Sequence, residues 1–141
     1  MCIFCRKQKT FSMNTIKHIL IIDSASLEQQ YLISLFKRSM CLNGWSLTFT
    51  LVSTFGEANK KLHADQYDIV ILDDLVGFEH GYDLVPLIHE SQKHAPVIIM
   101  ISNDRTLLAR GLHAGVHHTL IKNDIIGKMR ITHEYVLVPI P

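Results

Sequence analysis

Four polar side chains stand at the ends of four candidate strands, and their types suit phosphoryl chemistry. Asp23 follows Ile19-Leu20-Ile21-Ile22, and Asp73 follows Ile69-Val70-Ile71-Leu72. Ser102 follows Val97-Ile98-Ile99-Met100-Ile101, and Lys122 closes the run from Val116 to Ile121. A carboxylate can attack phosphorus as a nucleophile. A second carboxylate beside it adds a ligand oxygen for Mg²⁺, which takes one or two carboxylates and completes its shell with water and phosphate oxygens. A lysine neutralises a phosphoryl oxygen as a point charge, and a hydroxyl donates to another. Each residue taken singly is also an ordinary helix cap or solvated loop residue. The signal lies in having an acid, an acid, a hydroxyl and an ammonium each at the end of a run.

Three of the runs are short, apolar and rich in β-branched residues, which predicts strands buried on both faces, while Val116 to Ile121 is a less hydrophobic strand. Asp73 ends four apolar residues in a row, three of them β-branched, the reading for a central strand, and Gly77 and Gly81 allow a tight, mobile loop just beyond it. Between the strands the apolar spacing becomes helical. Ser26 is a candidate N-cap for a helix carrying Leu32, Leu35, Phe36 and Met40. After a turn at Asn43-Gly44, Trp45 to Ser53 alternates through Leu47, Phe49 and Leu51 and predicts an edge strand. Gly56 to Ala64 is a short helix with Ala58 and Leu62 inward. Gly81 to Lys93 predicts a helix burying Leu84, Val85, Leu87 and Ile88, with Pro86 early enough to be tolerated. Leu107, Leu108 and Leu112 mark the next helix, with Gly115 as its C-cap. A last helix from Asp124 to Met129 is incomplete. Strand and helix alternate five times, which predicts an α/β domain with a doubly wound parallel sheet. Right-handed crossovers then bring Asp23, Asp73, Ser102 and Lys122 to one sheet edge, where such folds bind ligands.

Composition bounds the alternatives. The chain has 141 residues, 48% hydrophobic and 19% charged, which suits one domain with a real core. A formal net charge of +1 gives no field to recruit nucleic acid or an anionic membrane. No apolar run reaches the roughly 18 residues of a membrane span. Three cysteines give no disulfide framework and fit a reducing cytosol, so a cytoplasmic location is expected. The Cys2-Ile3-Phe4-Cys5 pair lacks the further ligands a structural zinc site needs. His113, His117 and His118 read as surface residues, since adjacent strand positions face opposite ways. Residues 1–15 are expected to be an extension, 16–130 the domain, and 131–141 an apolar tail.

The constellation resembles the receiver domains of two-component response regulators, the CheY-like family, over about Thr15 to Lys128. The matching pieces are Ile19 to Asp23, Tyr67 to Asp73, the loop Gly77 to Gly81, Pro96 to Ser102, Gly111-Leu112-His113-Ala114-Gly115 and Leu120-Ile121-Lys122. The resemblance implies a flavodoxin-like sheet in the order 2-1-3-4-5, with Asp73 as phosphoacceptor. It implies Asp23 as an acid of the Mg²⁺ site, the Leu75 backbone carbonyl as a further ligand, Ser102 as switch hydroxyl and Lys122 as the conserved-type lysine. It also implies a sensor histidine kinase or phosphotransfer protein as donor, a downstream protein partner, and a homodimer as one assembly. The module would signal without being an enzyme in its own right.

Four positions depart from that family's pattern. Ser24 stands where a second acid would adjoin Asp23, so it is the weak member of the metal set and Mg²⁺ is expected to bind weakly. Asn123 follows Lys122 where the family has proline, so a trans Lys122–Asn123 bond is expected. Thr119 stands at an aromatic position, and Gly77 at a proline. Two functions follow: a stand-alone receiver phosphorylated on Asp73, or a degenerate receiver that binds partners without phosphorylation. An output domain of its own is not expected, and signalling is expected to run through protein contacts. Enzyme sites on similar sheets fit less well: Asp23 to Gln30 contains no glycine-rich turn, Ala25 removes a D-x-D pair, and no phosphate loop ends in Gly-Lys-Ser/Thr.

Overall fold

The computed structural model describes residues 15–40 and 45–125. Strands β1 (Thr15–Ile22), β2 (Trp45–Val52), β3 (Ile69–Asp73), β6 (Val97–Ser102) and β7 (His118–Ile121) form one parallel sheet in the order β2-β1-β3-β6-β7. This is the expected 2-1-3-4-5 order, because two extra strands, β4 (Leu75–Val76) and β5 (Glu79–His80), form a separate antiparallel hairpin. The helices are α1 (Ser26–Met40), α2 (Phe55–Ala64), α3 (Val85–Ser91) and α4 (Arg105–Ala114).

Two cores sit on the two faces of the sheet, as strand alternation requires. Ile19, Ile21, Ile69, Ile71, Ile99 and Ile101 face Leu32, Leu35 and Phe36 of α1. Leu20, Ile22, Val70, Leu72, Ile98 and Met100 face Ala58 and Leu62 of α2, Val85 and Ile88 of α3, and Leu108 of α4. β3 is buried at all five positions, which makes it the central strand. β2 is an edge strand, with Leu47 and Phe49 against the α1 core but Leu51 exposed.

Several local expectations shift by a turn or a residue. Ser26 is the first helical residue rather than the cap, and the Ala25 N–H is taken by Asp23 Oδ1 at 2.8 Å. The expected helix from Gly81 opens as a 3₁₀ turn, Gly81–Leu84, and α3 ends at Ser91, two residues early. Pro86 lies in the first turn of α3, where its missing N–H costs no bond. Leu112 is exposed, since α4 turns Leu108 and Gly111, with Leu107 beside them, toward the core. Gly115 does cap α4, in the left-handed region at φ 117°. The Asn43-Gly44 turn, the Met40 side chain, the Cys2–Cys5 pair, the rest of the last helix beyond residue 125 and the tail lie outside the described residues. Residues 122–125 form its first helical turn.

The loop after β3 is built rather than slack. Gly77, at φ 68°, makes the turn between β4 and β5, and Gly81 N donates to Asp74 O at 2.9 Å. A Cβ at Gly81 would overlap the Asp73 carbonyl oxygen. The chain therefore returns directly under the strand end that carries Asp73. Gly81→Ala should lower the urea-unfolding free energy by about 1–3 kcal/mol, the usual cost of overpacking. Unchanged stability would show that the return loop can move away from β3.

Candidate functional site

Strand parity decides which side chains meet. Asp23 continues the alternation of Ile19 and Ile21, Asp73 that of Ile69 and Ile71, and Lys122 that of Leu120, so all three fall on the α1 face. Lys122 Nζ lies 2.7 Å from Asp73 Oδ1 and donates a hydrogen bond to it. Asp73 Oδ1 also accepts from Asp74 N at 2.9 Å. Carboxylate oxygens of Asp23, Asp73 and Glu28 lie within 4.8 Å of one another. Asp23 is held from behind: its N–H donates to Val52 O at 3.0 Å, and Gln29 Nε2 donates to the carbonyls of both Asp23 (2.8 Å) and Val52 (3.1 Å). This buried amide ties α1 to the ends of β1 and β2.

Ser102 has the opposite parity, that of Ile98 and Met100. It does not reach Asp73. Its hydroxyl donates to Asp74 Oδ2 at 2.6 Å and accepts from Asp104 N at 2.9 Å. Ser24 is exposed and outside the carboxylate cluster. Leu75 pairs with His80 across the hairpin. The Lys122–Asn123 bond is trans, as expected. Asn123 uses the N–H that a proline would lack, donating to Asn103 Oδ1 at 2.7 Å, while Asn103 Nδ2 donates back to Asn123 Oδ1 at 3.2 Å. That pair ties the end of β7 to the end of β6. Thr119 is half-buried on β7. His113, His117 and His118 are exposed, and none belongs to a group of potential metal ligands among the described residues.

Glu28 and Asp74 are the residues that the sequence reading missed. Glu28 occupies the first turn of α1, where an acid reads as a favourable charge at a helix N-terminus. The usable signal was its place five residues after Asp23, one helical turn into the element that covers the sheet edge. Asp74 adjoins Asp73, and strand alternation would send it to the other face. The chain leaves the strand there, and Lys122 Nζ lies 3.8 Å from Asp74 Oδ1 as well as 3.2 Å from Glu28 Oε1.

The electrostatics follow from burial of several acids around one ammonium. Burial, then the neighbouring Glu28 carboxyl, pushes Asp23 up to about 9 in spite of the Ala25 N–H. Burial pushes Asp73 up to about 6, with Lys122 pulling the other way. Burial also opposes ionisation of Asp74, but the Ser102 hydroxyl and Lys122 hold its carboxyl below the usual range. For Lys122 burial alone would favour the neutral amine. The Asp73 hydrogen bond and the charges of Asp73, Glu28 and Asp74 outweigh it and hold the ammonium above the ordinary lysine range. Asp23 Oδ2 is a buried oxygen with no hydrogen-bond partner. An orphaned carboxylate oxygen in an all-oxygen donor set fits a hard divalent cation such as Mg²⁺.

Comparison with known proteins points the same way. A family model described as the response regulator receiver domain matches residues 19–131. Among solved structures, a two-component response regulator from Clostridium difficile superposes with a TM-score of 0.64 at 20% identity, covering 86% of this chain and 95% of that one. The receiver domain of a sensor histidine kinase from Pseudomonas aeruginosa PAO1, with a magnesium ion coordinated in its active site cleft, gives 0.62 at 19% identity, covering 85% and 97%. A response regulator from Burkholderia pseudomallei with a phosphorylated aspartic acid, calcium ion and citrate gives 0.58 at 17%, covering 85% and 70%. No curated protein matches the sequence.

The raised Asp23 value has a measurable consequence. An acid whose pKa is higher folded than unfolded costs the folded state stability as pH rises from the unfolded value toward the folded one. For Asp23 that window runs from the model-peptide value of 3.8 to about 9. In EDTA, Asp23→Asn should therefore raise the urea midpoint, with a gain on the order of 1 kcal/mol or more at pH 8 and a smaller one at pH 5. A lower midpoint at both pH values would show that the buried carboxyl is stabilising.

Proposed function

Because the chain belongs to the response regulator receiver domain family, we propose that it is a receiver that accepts a phosphoryl group on Asp73 and signals through protein contacts. The observation that carries the reading is the Lys122–Asp73 bond of 2.7 Å at the end of the central strand, with Asp23 alongside. Asp73 forms the new bond from a carboxylate oxygen to phosphorus, while the bond from phosphorus to the donor breaks and the electron pair leaves with the donor group. Lys122 stays charged and meets the phosphoryl oxygen, which a neutral amine would not. Asp23, Asp73 and the Leu75 carbonyl would hold Mg²⁺, and the bound ion supplies positive charge against the transferring phosphoryl oxygens. Ser102 would have to leave Asp74 to donate to a phosphoryl oxygen, which makes that hydrogen bond the switch.

The donor is a sensor histidine kinase or phosphotransfer protein, and the output is a protein partner rather than nucleic acid or membrane. The site acts in the cytoplasm as a signalling module. No helix among the described residues is long and apolar enough to cross a membrane. The alternative, a phosphorylation-independent interaction module, draws on one observation: the hydroxyl of Ser102 is already committed to Asp74.

A small phosphodonor with Mg²⁺ should add one phosphoryl mass to the wild type and none to Asp73→Asn, read by intact mass. Equal labelling of both proteins would place the acceptor elsewhere. Labelling of neither would favour the interaction module.

A further inference from the structure

The helix-borne acid Glu28 has no part in the function described above, yet its side chain turns inward. It is only 14% exposed, and its carboxylate lies with those of Asp23 and Asp73 within 4.8 Å. Two ordinary roles explain it poorly. As a helix-terminus charge it would be free to point into water. As a partner of Lys122 it is secondary, since Oε1 sits 3.2 Å from Nζ without hydrogen-bond geometry, while Lys122 gives its 2.7 Å bond to Asp73. One ammonium also cannot balance Glu28, Asp73 and Asp74 together.

A second observation points to a ligand. Asp23 is fully buried; its Oδ1 accepts from Ala25 N, and its Oδ2 has no donor. Buried carboxylate oxygens without donors are costly unless a cation meets them. We propose that Glu28 is the third carboxylate ligand of a hard divalent cation held with Asp23 and Asp73. It supplies from α1 the negative charge that Ser24, exposed on the loop, does not. All-oxygen donors select the Mg²⁺, Mn²⁺ and Ca²⁺ class. A spacing of up to 4.8 Å is one that an ion with oxygens at about 2.0–2.6 Å bridges with little movement. The consequence is that the loss of an acid at position 24 is compensated rather than disabling.

The inference rests on the reading of this pocket as a cation site, and the test separates the two. Mg²⁺ is titrated into EDTA-stripped full chain by calorimetry, with the Mg²⁺-induced rise in melting temperature as a second readout. Wild type, Glu28→Gln, Glu28→Ala, Asp73→Asn, Ser24→Asp and the double variant Ser24→Asp with Glu28→Gln are compared. Both Glu28 variants should bind Mg²⁺ roughly tenfold or more weakly, as expected for one lost charge beside the ion, and lose most of the melting shift. Adding Ser24→Asp should restore binding in the Glu28→Gln background and help less in the wild type, the non-additivity of two groups serving one ion. Wild-type affinity in both Glu28 variants, with binding abolished in Asp73→Asn, would overturn the role of Glu28 and leave the cation site standing. Absence of Mg²⁺ binding by the wild type would overturn both.

Discussion

Lys122 lies within ion-pair distance of three carboxylates, closest to Asp73 at 2.7 Å and farther from Glu28 and Asp74. A fourth, Asp23, is fully buried beside them. Four acids at one buried edge would be untenable as free anions, since each loses hydration on burial and repels the others. The edge is stable because one carboxyl holds its proton, one ammonium is shared, and one acid is satisfied by a serine hydroxyl. The same imbalance gives the pocket its capacity: positive charge is in deficit, so the pocket favours a divalent cation, and the charge that ion brings offsets the charge of a phosphoryl group.

The scaffold enforces that imbalance rather than tolerating it. α1 packs Leu32, Leu35 and Phe36 on Ile19, Ile21 and Ile71, which fixes its first turn over the strand ends. Gln29 fastens the same turn to the carbonyls of Asp23 and Val52. The point on the chain from which Glu28 projects is thus fixed beside Asp23. On the other side of Asp73, the close passage of Gly81 under the strand end holds the hairpin in place, and the Asn103–Asn123 pair holds the lysine-bearing strand end. Where a proline would have shaped the turn after Lys122, two amides do so through hydrogen bonds.

The sheet was legible in the residues because uninterrupted β-branched runs have few alternatives to central strands. The meeting of Asp23, Asp73 and Lys122 was legible for the same reason, since parallel strands and right-handed crossovers leave their ends on one edge. Parity was the missing step. Counted along each strand, it separates Ser102 from Asp73 and hands it to Asp74. Glu28 was hidden because an acid in a first helical turn already has a sufficient local explanation. The hairpin at residues 75–80 was read as a mobile loop because two glycines signal a turn equally well whether or not the flanking residues pair. The family match then adds what no single residue could: that residues 19–131 belong to a response regulator receiver domain.

The claim at the centre of this account is that Asp73, rather than its neighbour Asp74 or the buried Asp23, carries the phosphoryl group. Borohydride reduces an aspartyl phosphate to homoserine, marking the acceptor covalently. Protein treated with a small phosphodonor and Mg²⁺, reduced, digested and sequenced by mass spectrometry should show homoserine at position 73 alone. Homoserine at position 74 or 23, with Asp73 intact, would contradict it.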